Sequence, residues 1–373
     1  MLGFRPFVLA LGLWVVSGCM ISPIVPLKSA KLEDVFDLPK LQSIGSAITK
    51  AQEEERLPGG VLWVERNGVH FTEAYGKASV EPTHSPAQPD TIYDAASLTK
   101  VVATTTAVLL LHERGNLSID DPVTKHLPEF TGDGRDAVTL RHLLTHTSGL
   151  RPDISLAGWN GHVECIAKCV AEKLQSKPGQ KLRYSDINFQ LLDEIIRRVT
   201  KRRLDLFCEK EIFGPLKMTD TGYNPPAEKR HRVAPTTVKD GKALQGIVHD
   251  PRARKTEGVA GHAGLFTTAP DLARFARMLL QEGELDGVHL FKPETVKLMT
   301  TVQTPSGLPR RGLGWDIDSG YSSPRGSVFP LGSYGHTGFT GTSIWIDPFS
   351  KTFVIFLCNR VHPTEKEIGR AHV

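Results

Sequence analysis

The stretch Ser97-Leu98-Thr99-Lys100 opens a predicted helix that ends before Gly115. Residues three apart on a helix share one face, so we expect the Ser97 hydroxyl and the Lys100 amine to lie about one turn apart. A serine hydroxyl is a weak nucleophile that needs a nearby base, and a partly desolvated lysine can serve as that base. The pattern alone is not specific, because it also fits a helix N-cap followed by an exposed lysine.

A second segment, Tyr184-Ser185-Asp186, precedes a predicted helix at residues 187–198. A phenol beside an ammonium has its ionised form favoured, so Tyr184 can act as a base. Ser185 or Asp186 also fits the N-cap of the following helix, and the two roles are compatible.

A third segment, His336-Thr337-Gly338, lies in the glycine-rich stretch 335–341. Glycine lets the backbone approach a ligand closely, and an edge strand here can hydrogen-bond an extended substrate. One of its N–H groups can complete an oxyanion hole. Taken alone, the segment fits a simple turn that leads into a strand equally well.

In this order and at these separations, the three segments resemble the motifs of the serine β-lactamase and penicillin-binding-protein superfamily. Two further segments, Leu143–Leu150 and 258–268 with Gly261–Gly264 inside it, are similar to segments of class C-type β-lactamases and of their esterase and peptidase relatives. The resemblance extends over residues 41–362.

The resemblance implies a serine hydrolase that acts through an acyl-enzyme on an ester or amide carbonyl, with no cofactor and no metal. Ser97 would be the nucleophile, and Lys100 and Tyr184 would shuttle its proton to the leaving group. The backbone N–H groups of Ser97 and Phe339 would bind the oxyanion. The other substrate-facing positions would be Asp186, His336, Thr337 and Gly338. Small carboxyl esters, D-amino-acid peptides derived from peptidoglycan and β-lactams all stay open as substrates.

The chain departs from the class C pattern at two positions, with Asp186 where Asn is usual and His336 where Lys is usual. Aspartate adds negative charge and removes an amide donor, and histidine is a less reliable cation than lysine for a substrate carboxylate. Both changes favour the esterase and D-peptidase branches over efficient β-lactam hydrolysis. Asn188 is a candidate for part of the missing amide role.

The apolar segments predict an α+β fold. Strands are predicted at 61–66, 69–75, 313–317, 342–346 and 352–358. Asn67-Gly68 between the first two is a strong hairpin signal. These positions predict one antiparallel sheet built from both chain ends and flanked by helices, with a mostly helical insertion at about 115–258 and a cleft at the junction. The superfamily resemblance implies the same β-lactamase/transpeptidase-like arrangement.

The N-terminus carries an apolar run that follows Arg5 and ends at Cys19. The run is shorter than the roughly 20 residues needed to span a bilayer, and small residues precede the cysteine. It predicts a secretory signal peptide with lipidation of Cys19, and ordinary cleavage is the alternative. The predicted boundaries are a signal peptide at 1–18, a tether at 19–38, a hydrolase domain at 39–367 and a non-native tail at 368–373. We therefore expect an exported protein of the periplasm or cell envelope, held at the membrane by an N-terminal lipid anchor.

The composition argues against several other classes of protein. The 373 residues include 45 Lys and Arg against 41 Asp and Glu, a net charge of +4, which does not favour nucleic-acid binding. Hydrophobic residues at 40% and charged residues at 23% are typical of a globular protein rather than a polytopic membrane protein or a disordered chain.

Two alternatives stay open. A non-catalytic or slowly deacylating penicillin-binding protein of the cell wall would keep the cleft but lose turnover. A zinc hydrolase is the more distant alternative. His142 and His146 have the i, i+4 spacing of a metal pair, but no third ligand is evident.

Overall fold

The computed structural model describes residues 30–365. The strands of these residues are, in chain order, β1 Gly59–Arg66, β2 Val69–Ser79, β3 Ser85–Pro86, β4 Tyr93–Asp94, β5 Gly222–Tyr223, β6 Val238–Lys239, β7 Lys242–Ala243, β8 Leu265–Thr267, β9 Glu284–Leu285, β10 Val288–His289, β11 Arg310–Arg311, β12 Asp316–Asp318, β13 Tyr334–Thr337, β14 Ser343–Asp347 and β15 Thr352–Cys358. Eight of them form one sheet in the order β11-β12-β13-β14-β15-β1-β2-β3. Neighbouring strands are antiparallel, and β15 lies beside β1. The predicted sheet built from both chain ends is therefore confirmed.

Helices flank this sheet. The α-helices of the same residues are α1 Leu32–Val35, α2 Leu38–Glu53, α3 Thr106–Glu113, α4 Leu140–Leu144, α5 Gly161–Val170, α6 Asp186–Thr200, α7 Leu204–Cys208, α8 Pro251–Lys255, α9 Ala269–Leu280 and α10 Pro293–Thr300. A π-helical segment at Lys100–Thr105 runs directly into α3, and another at Glu209–Phe213 follows α7. Short 3-10 helices lie at Val123–Lys125, Arg135–Ala137, Ala227–Arg232 and Ser323–Arg325. Along the chain, helices α3 to α8 come after β3 and before β11, which are both strands of the large sheet.

β1 and β2 form the predicted hairpin. Asn67 and Gly68 both have positive φ, 51° and 83°, which a two-residue type I′ turn requires. On the other side, β1 pairs with β15, with Trp63 opposite Ile355. The register of β1 with β2 is set by the two-residue turn, because turn type and loop length fix the pairing in a hairpin.

Both faces of β1 are covered. Val61 and Trp63 belong to the main core, which the helices of the insertion and α9 share. Leu62 and Val64 point to a second cluster with Leu41 of α2. This double burial explains why the strand is a continuous apolar run and not an alternation of apolar and polar residues.

Residues just before α2 pack against the sheet. Leu32 and Phe36, in and just after α1, pack against the cluster that contains Leu62. Within the predicted tether at 19–38, Leu32 and Phe36 are therefore partly buried against the sheet, unlike the residues of a free tether. Cys19, the predicted signal peptide and the predicted tail at 368–373 lie outside the described residues. Between residues 30 and 365, the helices are all too short or too polar to cross a membrane.

β13 is a local edge and not an outer strand. It lies between β12 and β14, but β12 pairs with it only where Asp316 stands opposite Gly335. His336 and Thr337 pair with β14 alone within the described chain. The last residues of β13 therefore keep one side open, and this side borders the candidate site.

Candidate active site

The Ser97 hydroxyl lies beside the Lys100 amine, as the sequence predicts. Lys100 Nζ is 3.0 Å from Ser97 Oγ, to which it donates. Ala96 directly before the serine has a left-handed backbone, φ 46°, and its N–H donates to Asp94 Oδ1 at 2.8 Å. Left-handed backbone costs an alanine roughly 1–2 kcal/mol, so the surrounding contacts must hold this turn in place. The turn leaves Ser97 half-buried at the start of the helical segment, whereas Lys100 is fully buried.

Besides the Tyr184 side chain, three oxygen atoms lie within 3.0 Å of the buried Lys100 amine. Besides Ser97 Oγ, they are Asp186 Oδ1 at 2.7 Å and the backbone carbonyl of His262 at 3.0 Å. Burial favours the neutral amine, but the Asp186 carboxylate outweighs burial, so the pKa of Lys100 is raised above its ordinary value. Lys100 is therefore an ammonium at neutral pH. The expectation of a neutral lysine that accepts the serine proton is not favoured by this environment.

A second buried ion pair lies next to the first. His262, which offers its carbonyl to Lys100, places Nε2 3.2 Å from Asp250 Oδ1. Burial alone would lower the pKa of His262, but Asp250 raises it to about 9. The same contact holds the pKa of Asp250 well below its ordinary value, although burial opposes this. His262, whose backbone carbonyl accepts from Lys100, therefore has a charged side chain that is paired with Asp250.

Tyr184 lies against the Lys100 ammonium. Lys100 Nζ is 5.0 Å from the centre of the phenol ring. The ring is stacked on His146 with 4.3 Å between ring centres, and Tyr321 and His336 lie 5.4 and 6.0 Å away by the same measure. The structure therefore brings the hydroxyl, the amine and the phenol together from positions far apart in the sequence.

The segment after β13 is tied to the turn before Ser97. Thr340 Oγ1 donates to the carbonyl of Asp94 at 2.7 Å, and Thr342 Oγ1 donates to the carbonyl of Ala95 at 3.0 Å. Gly338 fits between them, since an added Cβ would lie 2.1 Å from Thr342 Oγ1 and 2.6 Å from the Ala95 carbonyl. The sequence predicts a close backbone approach at this glycine, and the structure has one.

The two N–H groups predicted for the oxyanion hole are both free. Within residues 30–365, neither the Ser97 nor the Phe339 backbone N–H donates a hydrogen bond. The contacts of Thr340 and Thr342 bring the two segments that carry these groups against each other. Free backbone donors next to a half-buried hydroxyl are what the stabilisation of an oxyanion needs.

The sequence predicts that His336 is a weak cation for a substrate carboxylate, and the structure does not support this prediction. The residue is 5% exposed, and its Nδ1 lies 2.8 Å from the carbonyl of Thr337. Burial, together with the charges of Arg311 and Lys100, lowers the pKa of His336 well below its ordinary value. His336 is therefore neutral at physiological pH and cannot supply the positive charge. Thr337 is half-buried and lines the cleft.

The proposed substitute for the missing amide is also wrong. Asn188 is fully buried, with Oδ1 accepting from Ser148 Oγ at 2.7 Å and Nδ2 donating to the carbonyl of Leu143 at 3.1 Å. Its amide joins α6 to α4 and does not reach a ligand. Ser185 occupies the N-cap position of α6, but its hydroxyl donates to the carbonyl of Arg151 and does not cap the helix.

The two histidines of the zinc alternative have separate partners. His142 Nδ1 lies at the start of α4 beside Thr139, whereas His146 Nδ1 accepts from the N–H of Ser185. Across the described part of the chain, no group of three or more His, Cys, Asp or Glu side chains is arranged to hold a metal ion.

A cleft of about 310 Å³ opens beside the end of β13. Its lining includes three aromatic residues, two arginines and the backbone around Gly338, whereas Ser97, Lys100 and Tyr184 are not part of it. Tyr321 and Phe339 are both about half exposed there. Arg360 Nε donates to the carbonyl of Phe339 at 2.9 Å, and its guanidinium lies 5.2 Å from the Phe339 ring centre. Within residues 30–365, Arg360 has no carboxylate partner, and Nε is its one guanidinium nitrogen with a hydrogen bond.

Several residues of the site were not assigned by sequence reasoning. The segment Gly261–Gly264 stands out in the sequence, but the ion pair of His262 with Asp250 does not, because helix α8 separates the two residues and Asp250 is the N-cap of that helix. Arg311, which is 1% exposed and lowers the pKa of His336, carries no sequence signal. An arginine in a short polar run looks like a surface residue until the fold buries it.

Comparisons with known proteins confirm the resemblance. The chain belongs to the β-lactamase family, whose model, described as Beta-lactamase, matches residues 44–373. It is 29% identical over 366 residues to a "Putative D-alanyl-D-alanine carboxypeptidase" of Escherichia coli K12, over 88% of this chain and 84% of that protein. It is 32% identical over 370 residues to an "N-acetylmuramyl-L-alanine amidase" of Bacillus subtilis 168, over 88% and 82%. A solved class C β-lactamase from Rhodobacter sphaeroides has the same fold, with a TM-score of 0.72 at 22% identity over 88% of this chain and 96% of that one. The protein is thus a serine hydrolase.

The His262–Asp250 pair predicts a pH-dependent stability. The pKa of His262 is about 9 in the folded protein, against roughly 6.5 for an unfolded histidine, so the pair stabilises fully below about pH 6.5 and is lost as the pH rises through about 9. His262→Asn should therefore lower the free energy of unfolding most at about pH 6. This deficit should shrink by about 2–3 kcal/mol at about pH 9.5, measured by urea unfolding. His289→Asn, at an exposed site, is the control and should show no such trend. A deficit of His262→Asn that is equal at both pH values would contradict the assignment.

Proposed function

We propose that Ser97 is the nucleophile of an acyl-enzyme reaction. Its Oγ attacks the substrate carbonyl while the Ser97 and Phe339 N–H groups bind the developing oxyanion. Each such donor contributes about 3 kcal/mol to the lowering of the barrier. The observation that carries the proposal is the contact of a half-buried hydroxyl with a buried ammonium and an adjacent phenol.

In this proposal, Lys100 stays protonated and Tyr184 carries the proton. Tyr184 reacts as its phenolate, which the adjacent Lys100 ammonium stabilises, and it takes the proton from Ser97 Oγ to become a neutral phenol as Oγ attacks the carbonyl. Tyr184 then gives the proton to the leaving group. This step restores the phenolate, which in the second half of the cycle takes a proton from the water that attacks the acyl carbonyl. The acyl–Oγ bond then breaks, and Tyr184 returns the proton to Ser97 Oγ.

We propose D-amino-acid peptides of peptidoglycan, with a free terminal carboxylate, as the substrate class. The name of the Escherichia coli relative supports this choice, and the name of the Bacillus subtilis relative, an amidase of N-acetylmuramyl-L-alanine, supports peptidoglycan fragments more generally. Arg360 lines the cleft beside Gly338 and Phe339 and has no carboxylate partner within residues 30–365, so we assign to it the charge that His336 lacks. Efficient β-lactam hydrolysis is less favoured, because Asp186 replaces an amide donor and Asn188 is committed to the core.

The same relatives support an exported location, where peptidoglycan is accessible. We propose in addition that Cys19 is lipidated and anchors the protein to the membrane. Metabolic labelling with an alkyne fatty acid tests the anchor, and loss of label in Cys19→Ala would support it.

The nucleophile assignment is tested with Ser97→Ala. The wild type should release D-alanine from a D-Ala-D-Ala peptide and hydrolyse p-nitrophenyl acetate, and mass spectrometry should find an acyl group on Ser97. Ser97→Ala should lower both activities at least about 10³-fold and abolish the adduct without loss of folding. Ser148→Ala, at a fully buried serine, is the matched control and should keep the adduct. An adduct that persists in Ser97→Ala would refute the assignment.

Arg360 should distinguish substrates by their carboxylate. Arg360→Ala removes one charge-assisted hydrogen bond and should raise KM for the D-Ala-D-Ala peptide about 10-fold. The KM for p-nitrophenyl acetate, which has no carboxylate, should change less than about 2-fold. Arg360→Lys should recover part of the loss, and Arg197→Ala, at an exposed arginine outside this cleft, should have no effect. Equal changes for both substrates would show that Arg360 only packs on Phe339.

A further inference from the structure

His146 has an unusual backbone next to Tyr184. It is fully buried, and its φ is 58°, in the left-handed region that few L residues adopt, although histidine does so more often than most. Two backbone contacts from the Tyr184 segment end on this one residue. The N–H of Arg183 donates to the His146 carbonyl at 2.8 Å, and the N–H of Ser185 donates to His146 Nδ1 at 3.0 Å. The residues directly before and after Tyr184 are thus both hydrogen-bonded to His146.

The imidazole also contacts the phenol itself. The His146 and Tyr184 rings are stacked, with 4.3 Å between their centres and an angle of 24° between their planes. Because Nδ1 accepts from Ser185, the neutral ring carries its proton on Nε2. Burial, with the charges of Arg311 and Lys100, lowers the pKa of His146 well below its ordinary value. A neutral ring adds no charge that would compete with the Lys100 ammonium for the phenol oxygen.

This combination goes beyond ordinary packing. A left-handed residue persists only where its neighbours over-determine it, and such outliers concentrate at functional sites. Glycine or asparagine would adopt this backbone with less strain, but neither would present an aromatic ring to Tyr184. The strained backbone of His146 therefore places its imidazole against the Tyr184 ring.

We propose that His146 is a positioning residue that holds the Tyr184 phenol against Lys100 and Ser97. The proposal rests on the proposed function, in which Tyr184 carries the proton. Displacing a reacting group by about 1 Å can cost about 100-fold in rate, so a loosened phenol should slow acylation while substrate binding changes little.

The test is a double-mutant cycle on His146 and Tyr184. His146→Asn tolerates the left-handed backbone and keeps an acceptor near Ser185, so it removes mainly the ring. The rate of Ser97 labelling by a fluorophosphonate probe is followed over hours in the wild type, His146→Asn, Tyr184→Phe and the double variant. We expect His146→Asn to slow labelling by about 10–50-fold in the wild type but less than about 3-fold when Tyr184 is already Phe, because residues that act together are non-additive. In steady-state hydrolysis of p-nitrophenyl acetate, kcat should fall while KM stays within about 2-fold.

His142→Asn, four residues earlier on α4, is the matched control and should label at the wild-type rate. If His146→Asn fails to show a cooperative melt, His146→Phe replaces it in the cycle, where it keeps a ring but loses the Ser185 acceptor. Equal slowing by the His146 variant in both backgrounds, or no slowing at all, would overturn the positioning role. Normal labelling of Tyr184→Phe would instead overturn the proposed function of Tyr184 itself, so the two failures are distinguishable.

Discussion

The site depends on the ion pair between Lys100 and Asp186. A fully buried ammonium is costly unless a charged partner compensates it, and Asp186 lies 2.7 Å from the amine. The ammonium in turn orders the groups around it, because Ser97 Oγ and the carbonyl of His262 also lie within 3.0 Å of it. Asp186 is the first residue of α6, so the position of that helix is linked directly to the nucleophile.

The fold supplies this arrangement through contacts between distant parts of the chain. The pairing of β1 with β15 brings early and late parts of the chain into one sheet. β13 lies two strands from β15, and its open end borders the helical insertion. Thr340 and Thr342 then fasten the segment after β13 to the turn before Ser97. Such contacts are non-local, and they join the two segments that carry the free N–H groups of Ser97 and Phe339.

The sequence alone predicted the features of the fold and of the site that follow from residue patterns. The hairpin at Asn67-Gly68, the sheet built from both ends and the meeting of Ser97, Lys100 and Tyr184 all followed from periodicity, turn chemistry and the motif resemblance. It was insufficient where burial decides the outcome. His336 reads as a weak cation, but burial beside Arg311 makes it neutral. Asn188 reads as a free amide and is bound inside the core, and the strained His146 has no signature in its spacing.

The most direct measurement is the pH dependence of Ser97 acylation in the wild type and in Asp186→Asn. If Lys100 acts as an ammonium held by Asp186, removing the carboxylate lowers the pKa of Lys100 and brings the alkaline loss of acylation to a lower pH. The account predicts that Asp186→Asn loses its acylation rate at a pH where the wild type still keeps it. A variant that instead acylates faster than the wild type at mildly alkaline pH would show that neutral Lys100 is the base, and would contradict the account.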